Sequence, residues 1–188
     1  MKKLSLLFTK DGLQWHISKG KTVLEEAFHF VTEETSPHLV EQKLDEILKF
    51  DDYKEIEVIS ALNHFSLTPD TFAEHELGYK LISYNAPVDE ANEELMLSVN
   101  KRFAVQFYYT FPKHFYQKIK AKKLPTKFNF SGEKFLNALT VKNHKEIHIN
   151  LYHHQVEFFA FENKKVILYN NLDADSEVDF LYFIMFSL

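Results

Sequence analysis

The chain has no cysteine among its 188 residues, and it is poor in other features that particular functions require. Without a thiol, disulfides, thiolate catalysis and cysteine-bound zinc are excluded. Of the four glycines, at positions 12, 20, 78 and 132, no two lie close enough to form a phosphate-binding loop. No apolar stretch approaches the roughly 20 residues that span a bilayer. The run after Lys3 becomes charged too soon for a signal peptide, so we expect a cytoplasmic protein.

A basic surplus is also lacking, because 22 basic and 27 acidic residues give a net charge of −5. Nucleic-acid binders usually carry an excess of positive charge, so we expect no nucleic-acid partner. Hydrophobic residues make up 45% of the chain, which is ordinary for a soluble domain. Aromatic residues are abundant, with 19 Phe and 9 Tyr, and we expect them to fill the cores of β-sheets.

The apolar pattern at the start of the chain returns about 143 residues later (found by sliding the chain on itself). Each copy has two alternating runs typical of strands, a third strand, and then a serine before an apolar helix: Ser36 in the first copy and Ser176 in the second. The pattern predicts βββα twice. It also predicts sheet cores that contain Leu4, Leu6, Phe8, Trp15, Ile17, Ile147, Ile149, Val156 and Phe158.

Between the copies the pattern predicts alternating strands and helices. Ser36-Pro37 and Thr68-Pro69-Asp70 are typical helix starts, and Ser131 is a predicted N-cap. The acidic stretch 87–100 is interpreted as a surface loop. Strands are predicted over 56–62, 103–111 and 127–130, with a basic helix from Pro112 to Lys123.

This order resembles the actin, Hsp70 and sugar-kinase fold. The segments 66–72 (SLTPDTF) and 165–184 (KVILYNNLDADSEVDFLYFI) resemble an uncharacterised bacterial family with this actin-like ATPase fold, which also occurs in PilM and FtsA. The resemblance implies an α/β, ribonuclease H-like chain. It implies one complete βββαβαβα unit with a connecting helix over residues 1–143, and the βββα start of a second unit over 144–188. Such a family should continue past Leu188, so we expect a truncated form.

In nucleotide-binding members of this fold, two hairpin turns grip the phosphates. The matching turns here are Thr9-Lys10-Asp11-Gly12 and Tyr152-His153-His154-Gln155. On the ATPase interpretation Asp11 holds a metal-bound water, and Lys10 or Thr9 contacts phosphate. The second turn is bulky and lacks both Asp and Gly, so two ordinary hairpins are the favoured interpretation.

We therefore expect a non-catalytic, actin-like scaffold that binds another protein, with no catalytic residue and no metal site. The alternative is an ATP-binding protein or weak ATPase with Mg-ATP on Thr9, Lys10, Asp11 and Gly12. The helix over residues 177–188 is apolar on almost every side, so we also expect self-association through it.

Three further clusters have a functional and a structural interpretation, and the structural one is favoured for each. A series of acidic residues near the end of the chain resembles a calcium site, but it fits a helix cap better, with Asp179 reaching back to Ser176. The histidines lack the sequence spacing of metal ligands. The lysines fit the solvated face of an amphipathic helix better than a binding site for lipid or nucleic acid. The clusters are Asp173, Asp175, Glu177 and Asp179; His144, His148, His153 and His154; and Lys113, Lys118, Lys120, Lys122 and Lys123 with Phe115 and Tyr116.

Overall fold

The computed structural model describes residues 2–31, 38–50 and 52–186. The predicted helix start at Ser36-Pro37 therefore lies outside the described residues, as does Leu188. The elements in chain order are β1 (Lys2–Thr9), β2 (Gly12–Lys19), β3 (Thr22–Phe30), α1 (His38–Leu48), β4 (Tyr53–Ser60), β5 (Phe65–Pro69), a 3-10 turn (His75–Leu77), α2 (Gly78–Ser83), β6 (Glu93–Asn100), β7 (Val105–Pro112), α3 (Lys113–Ala121), β8 (Thr126–Phe130), α4 (Ser131–Ala138), β9 (Glu146–Leu151), β10 (Gln155–Glu162), β11 (Lys165–Asp173) and α5 (Glu177–Phe186).

The first sheet has five strands in the order β3-β2-β1-β4-β8. Strand β1 pairs antiparallel with β2 and parallel with β4, so its apolar side chains are enclosed between neighbours. Leu4, Leu6 and Phe8 are buried, as the alternation predicts. Helix α1 packs its apolar stripe, which includes Val40 and Leu44, into the same core.

The second sheet, in the order β5-β7-β6, contains two errors of the sequence interpretation. The predicted loop over 87–100 holds strand β6, which pairs antiparallel with β7. The predicted helix at Thr68-Pro69-Asp70 is the end of strand β5, and α2 begins only at Gly78. Both errors have one cause: pairing with a distant strand overrides local signals, and an edge strand tolerates proline.

The third sheet has the order β11-β10-β9 and is followed by α5, so the element order βββα occurs at both ends of the chain. The division at residue 143 and the duplication of one unit stay predictions. An aromatic cluster joins the second and third sheets and fills a shared core, as expected for the phenylalanines; its members include Phe65, Phe107, Phe130, Phe159 and Tyr169.

One predicted core residue is wrong. Ile149 is 40% exposed, whereas Val156 and Phe158 on the neighbouring strand are buried. Ile147, also predicted for the core, is only half-buried. Among the described residues, β9 pairs only with β10 and is an edge strand of its sheet. Within the same described part of the chain, no helix is long and apolar enough to cross a bilayer.

Candidate functional site

The first predicted phosphate turn joins β1 to β2 and depends on Gly12. Gly12 has φ of 138°, and a Cβ there would lie 1.9 Å from the carbonyl oxygen of His29. Only glycine fits such a close backbone approach at positive φ. The Val31 N–H donates to the Asp11 carbonyl oxygen at 2.7 Å, and the Asp11 N–H donates to Thr9 Oγ1 at 3.2 Å. The turn is therefore fixed against the end of β3.

The second predicted turn joins β9 to β10 and lies directly against the first. The buried carboxylate of Asp11 accepts the His154 N–H at 2.8 Å through Oδ2 and contacts His154 Nδ1 at 3.0 Å through Oδ1. The two residues are 143 positions apart, which is the offset of the sequence pattern. Equivalent positions of the two turns therefore contact each other.

Neighbouring residues extend this contact, which we call the turn–turn seam: the first turn (Lys10 and Asp11) with Phe30 against His153, His154 and the segment after β11. The ammonium of Lys10 lies 3.3 Å from carboxylate oxygens of both Asp173 and Asp175. The ring of His153 packs edge-on against Phe30, with centroids 5.0 Å apart. Charge pairing and aromatic packing thus join the first and third sheets at their turns.

The seam leaves two small cavities beside it. One, of about 300 Å³, lies between Thr9, Phe28 and Tyr152, and the other, of about 290 Å³, lies below the second turn beside α5. Among the described residues that line them, none is Lys or Arg, and the second cavity includes Asp175 and Glu177. Phosphate groups bind where cations or several free N–H groups converge, and the described lining of these cavities supplies no ammonium or guanidinium group.

A buried carboxylate that the sequence interpretation missed lies in the same part of the fold. Glu157 of β10 is fully buried and accepts hydrogen bonds from four uncharged side chains. The donors come from α4, β11, β9 and the residue after β9, at 2.8 to 2.9 Å: Ser131 Oγ, Tyr169 Oη, Asn150 Nδ2 and Tyr152 Oη. A buried charge is tolerable when every lone pair is satisfied in this way.

The contacts of Glu157 also correct the prediction for Ser131. The N-cap position of α4 is Phe130, and the Ser131 hydroxyl donates to Glu157 instead of capping the helix. Burial, followed by the Glu157 charge, raises the pKa of Tyr152 and Tyr169 well above the ordinary value, so both stay protonated donors. The available signal was positional: Glu157 shares a strand face with Phe159 and Phe161, where an apolar residue is expected.

Two amides next to this cluster attach the third sheet to the first. Gln155 and Asn171 donate to the Ala61 carbonyl oxygen at 2.6 and 3.2 Å. The Ala61 N–H in turn donates to the Phe8 carbonyl oxygen at 2.8 Å, at the end of β1. Together with the seam, these bonds fix the third sheet against the ends of β1 and β4.

The acidic series forms a helix cap. The Asp179 N–H donates to Ser176 Oγ at 3.1 Å, and the Ser176 hydroxyl donates to the Asp179 carboxylate at 2.8 Å. Capping is therefore confirmed, although Asp179 reaches the serine hydroxyl and not its backbone. Among the described residues, no three His, Asp or Glu side chains converge as a metal site would require.

The histidines and lysines are engaged in local contacts. His148 and His144 both approach Glu146, at 3.4 and 3.9 Å. On α3, Lys118 forms ion pairs with Glu41 and Asp45 of α1. The apolar face of α3 packs inward, and Phe115 there contacts Phe8. The amphipathic surface helix is confirmed.

Comparisons with known proteins place the chain in a family. The family described as "Protein of unknown function (DUF3822)" matches residues 1–188. A crystal structure from Bacteroides thetaiotaomicron, of a protein with actin-like ATPase fold and unknown function, is 19% identical with a TM-score of 0.82, over 99% of this chain and 75% of that one. No curated protein matches.

A second solved structure, a PilM-PilN type IV pilus biogenesis complex, is 12% identical with a TM-score of 0.53, over 99% of this chain and 65% of that chain. At these identities the likeness shows the fold alone. The chain therefore has the actin-like ATPase fold, and the predicted fold and the resemblance to an uncharacterised family are confirmed.

Proposed function

We propose that this chain, which belongs to the DUF3822 family of unknown function, is a non-catalytic scaffold of actin-like fold that acts by binding another protein. The observation that carries the proposal is the contact between Asp11 and His154. Both oxygens of the carboxylate that would hold a metal-bound water already have partners from the opposite turn.

The remaining groups of the first turn support the same conclusion. Lys10 is paired with Asp173 and Asp175, so its charge is already compensated. For Mg-ATP to enter, the turns would have to separate and give up these contacts. A charge-assisted hydrogen bond contributes about 1.5–3 kcal/mol, so separating the turns is costly.

A protein partner is supported by the fold. The PilM neighbour, which shares the fold at a TM-score of 0.53, was solved in complex with PilN. That structure shows that one protein of this fold assembles with another protein. Because fold alone does not determine function, the chemistry of a partner has to match the surface of this chain itself.

Nucleotide titration by calorimetry tests the proposal against the alternative of a weak ATPase. Mg-ATP titrated into the chain should give no saturable heat, and Asp11→Ala should behave the same. Saturable Mg-ATP binding that Asp11→Ala abolishes would overturn the scaffold proposal. Mg-ADP and Mg alone serve as matched titrants, because they separate triphosphate recognition from simple cation binding.

We also propose that the chain self-associates through helix α5. This helix buries none of its described residues, and five large apolar side chains on it are each more than half exposed: Val178, Leu181, Tyr182, Met185 and Phe186. Covering four such side chains would contribute on the order of 6 to 12 kcal/mol, at 1.5–3 kcal/mol each. A second copy of this helix offers a matching apolar surface.

Light scattering at increasing concentration tests self-association. The chain should form dimers or larger species, and Leu181→Gln with Met185→Gln should shift it toward monomer. Leu97→Gln, an exposed leucine on β6, is the matched control and should not change the mass. A chain that stays monomeric at high concentration would contradict the proposal.

A further inference from the structure

A groove of about 680 Å³ lies between the second and third sheets, away from the turn–turn seam. Its two long walls are β5 and β11, together with residues next to them, and the segment Asn85–Pro87 after α2 lines it as well. Strand β5 is an edge of the second sheet, and β11 is an edge of the third. Within the described residues, two unpaired strand edges therefore border one groove.

The hydrogen-bond pattern shows which backbone groups of β5 point away from its neighbour β7. The Thr110 N–H donates to the His64 carbonyl at 3.1 Å, and the Asp70 N–H donates to the Ala104 carbonyl at 3.0 Å. In an antiparallel pair, bonded and non-bonded positions alternate, so even-numbered residues of β5 face β7. The N–H and C=O groups of Phe65 and Leu67 therefore point away from β7.

Strand β11 shows the same alternation of backbone groups. The Ala174 N–H donates to the His154 carbonyl at 3.0 Å, so even-numbered residues in this register face β10. Tyr169 and Asn171 consequently direct their backbone groups outward, to the side opposite β10. Both residues line the groove.

Each edge is blocked toward one or both of its ends. Pro69 removes the next outward N–H on β5. On β11, a register shift leaves Ile167 without a partner residue on β10. The Asn171 N–H donates to the side-chain oxygen of Asn170 at 2.9 Å. Prolines and bulges commonly protect edges from unwanted pairing. The unblocked residues Phe65, Leu67 and Tyr169 all border the groove.

The lining indicates what the groove would accept. Among the described residues that form it, there is no carboxylate, ammonium or guanidinium. The imidazole of His64 also lines it, but its Nδ1 already lies 3.1 Å from a carboxylate oxygen of Glu93, so a charged ligand would find little counter-charge. Side-chain amides of Asn63, Asn85 and Asn170 line it and can pair with peptide groups. The exposed side chain of Ile167 offers apolar surface at the groove, while the rings of Phe65 and Tyr169 meet edge-to-face at 5.1 Å between centroids and form its buried floor.

We propose that this groove binds an extended, uncharged segment of a partner protein, which adds as a strand to the free edge of β5 and packs against β11. Strand addition derives affinity from backbone hydrogen bonds, and shallow pockets select side chains. The proposal rests on the proposed protein-binding function and names the chemistry of the partner. It differs from self-association through α5, because no α5 residue lines this groove.

Selection from a phage-displayed library of random dodecapeptides tests the proposal. The chain should enrich peptides with a run of five or more uncharged residues. Leu67→Pro should weaken the selected peptide by at least about tenfold, because it removes an outward N–H while sparing the bonds to β7. Pro69, which has the same orientation two residues later, shows that this edge tolerates proline.

Leu97→Pro is the matched control. The Lys113 N–H donates to the Asn92 carbonyl, so the even-numbered residues of β6 bond to β7. The Leu97 N–H therefore points away from β7, at the opposite edge of the same sheet. This variant should bind the peptide like the original chain. If Leu67→Pro fails to fold, Ala86→Glu places a charge at the groove from a loop and should also weaken binding by about tenfold.

Amide hydrogen exchange gives a second readout. The selected peptide should protect the N–H groups of Phe65, Leu67 and Tyr169. Failure to enrich any peptide, enriched peptides that are charged throughout, or equal binding by Leu67→Pro and the original chain would overturn the proposal. If these amides become protected when the protein concentration is raised without peptide, a second copy of the chain occupies the groove, and this result would also overturn the proposal.

The two tests fail independently. Mg-ATP binding that depends on Asp11 would remove the scaffold proposal whatever the peptide selection yields. A failed selection with no nucleotide binding would remove only the groove proposal and leave the scaffold proposal in place.

Discussion

The first and last three strands of the chain carry the same apolar pattern and meet different surroundings. In β1, Leu4, Leu6 and Phe8 are 0 to 3% exposed. At the equivalent positions of β9, Ile149 is 40% exposed and Leu151 is 62% exposed. The helices that follow differ in the same way, since α1 buries four apolar residues and α5 buries none among those described.

The difference arises from neighbours and not from composition. Strand β1 lies between β2 and β4, whereas β9 pairs with β10 alone in the described chain. An apolar side chain is buried only where another element covers it, so the same alternation gives a core strand in one place and an exposed one in the other. In the last region, apolar burial is concentrated in β10, and the buried polar cluster around Glu157 adds to it.

The largest expected effect tests the contribution of this cluster. Glu157→Ala leaves four hydrogen-bond donors without an acceptor, two of them on buried residues and two on half-buried ones. Each orphaned donor costs about 1–3 kcal/mol, so we expect a loss of about 4 kcal/mol in unfolding free energy. Urea unfolding measures it. Glu162→Ala, at the exposed end of the same strand, should change stability by less than about 0.5 kcal/mol. A loss below about 1 kcal/mol for Glu157→Ala would mean that the cluster is not a main support.

The next largest effect compares two equivalent positions directly. Leu6→Ala should cost about 3 kcal/mol, because it opens a cavity in a fully enclosed core. Ile149→Ala should cost less than about 1 kcal/mol, since its side chain is already 40% exposed. Thermal unfolding of both variants provides the comparison. Equal losses would show that β9 is covered as well as β1, for example by a second copy.

These two regions also show what the sequence could predict. Alternation placed Leu4, Leu6 and Phe8 in strands and in the core, because that signal is local. Ile149 has the same local signal, and only its missing neighbour exposes it. Strand β6 and the network of Glu157 depend on pairing between distant residues, so no window of sequence revealed them. The Asp11 turn was recognisable, but its partner His154 emerged only from the fold.

A smaller effect concerns pH in the first sheet, where Glu57 lies on β4. Burial raises the pKa of Glu57, but the ammonium groups of Lys134 and Lys3 together outweigh it and lower the pKa below its ordinary value. A lowered folded-state pKa stabilises the fold above the ordinary carboxyl range, and this contribution is lost as pH falls through and below that range. Glu57→Gln should therefore cost about 1 kcal/mol at pH 7, because the partly exposed lysines are screened by solvent.

Urea unfolding of Glu57→Gln and the original chain between pH 7 and pH 3 measures this dependence. The difference between them should shrink as the pH falls, because protonation removes the same charge that the substitution removes. A difference that stays constant over the range would show that the lysine contacts do not depend on the charge.

The smallest effect lies at the seam where the two regions meet. Asp11→Asn and His154→Ala each remove part of one contact, so their effects on unfolding free energy should not add, with a coupling of about 1 kcal/mol. The backbone N–H of His154 also bonds Asp11, so the histidine substitution leaves one bond in place and the coupling stays modest. Lys10→Met with Asp175→Asn is the matched pair, with exposed partners and an expected coupling below about 0.5 kcal/mol. Full additivity at Asp11 and His154 would mean that the turns merely lie side by side, and the first turn would then be free to accept another ligand.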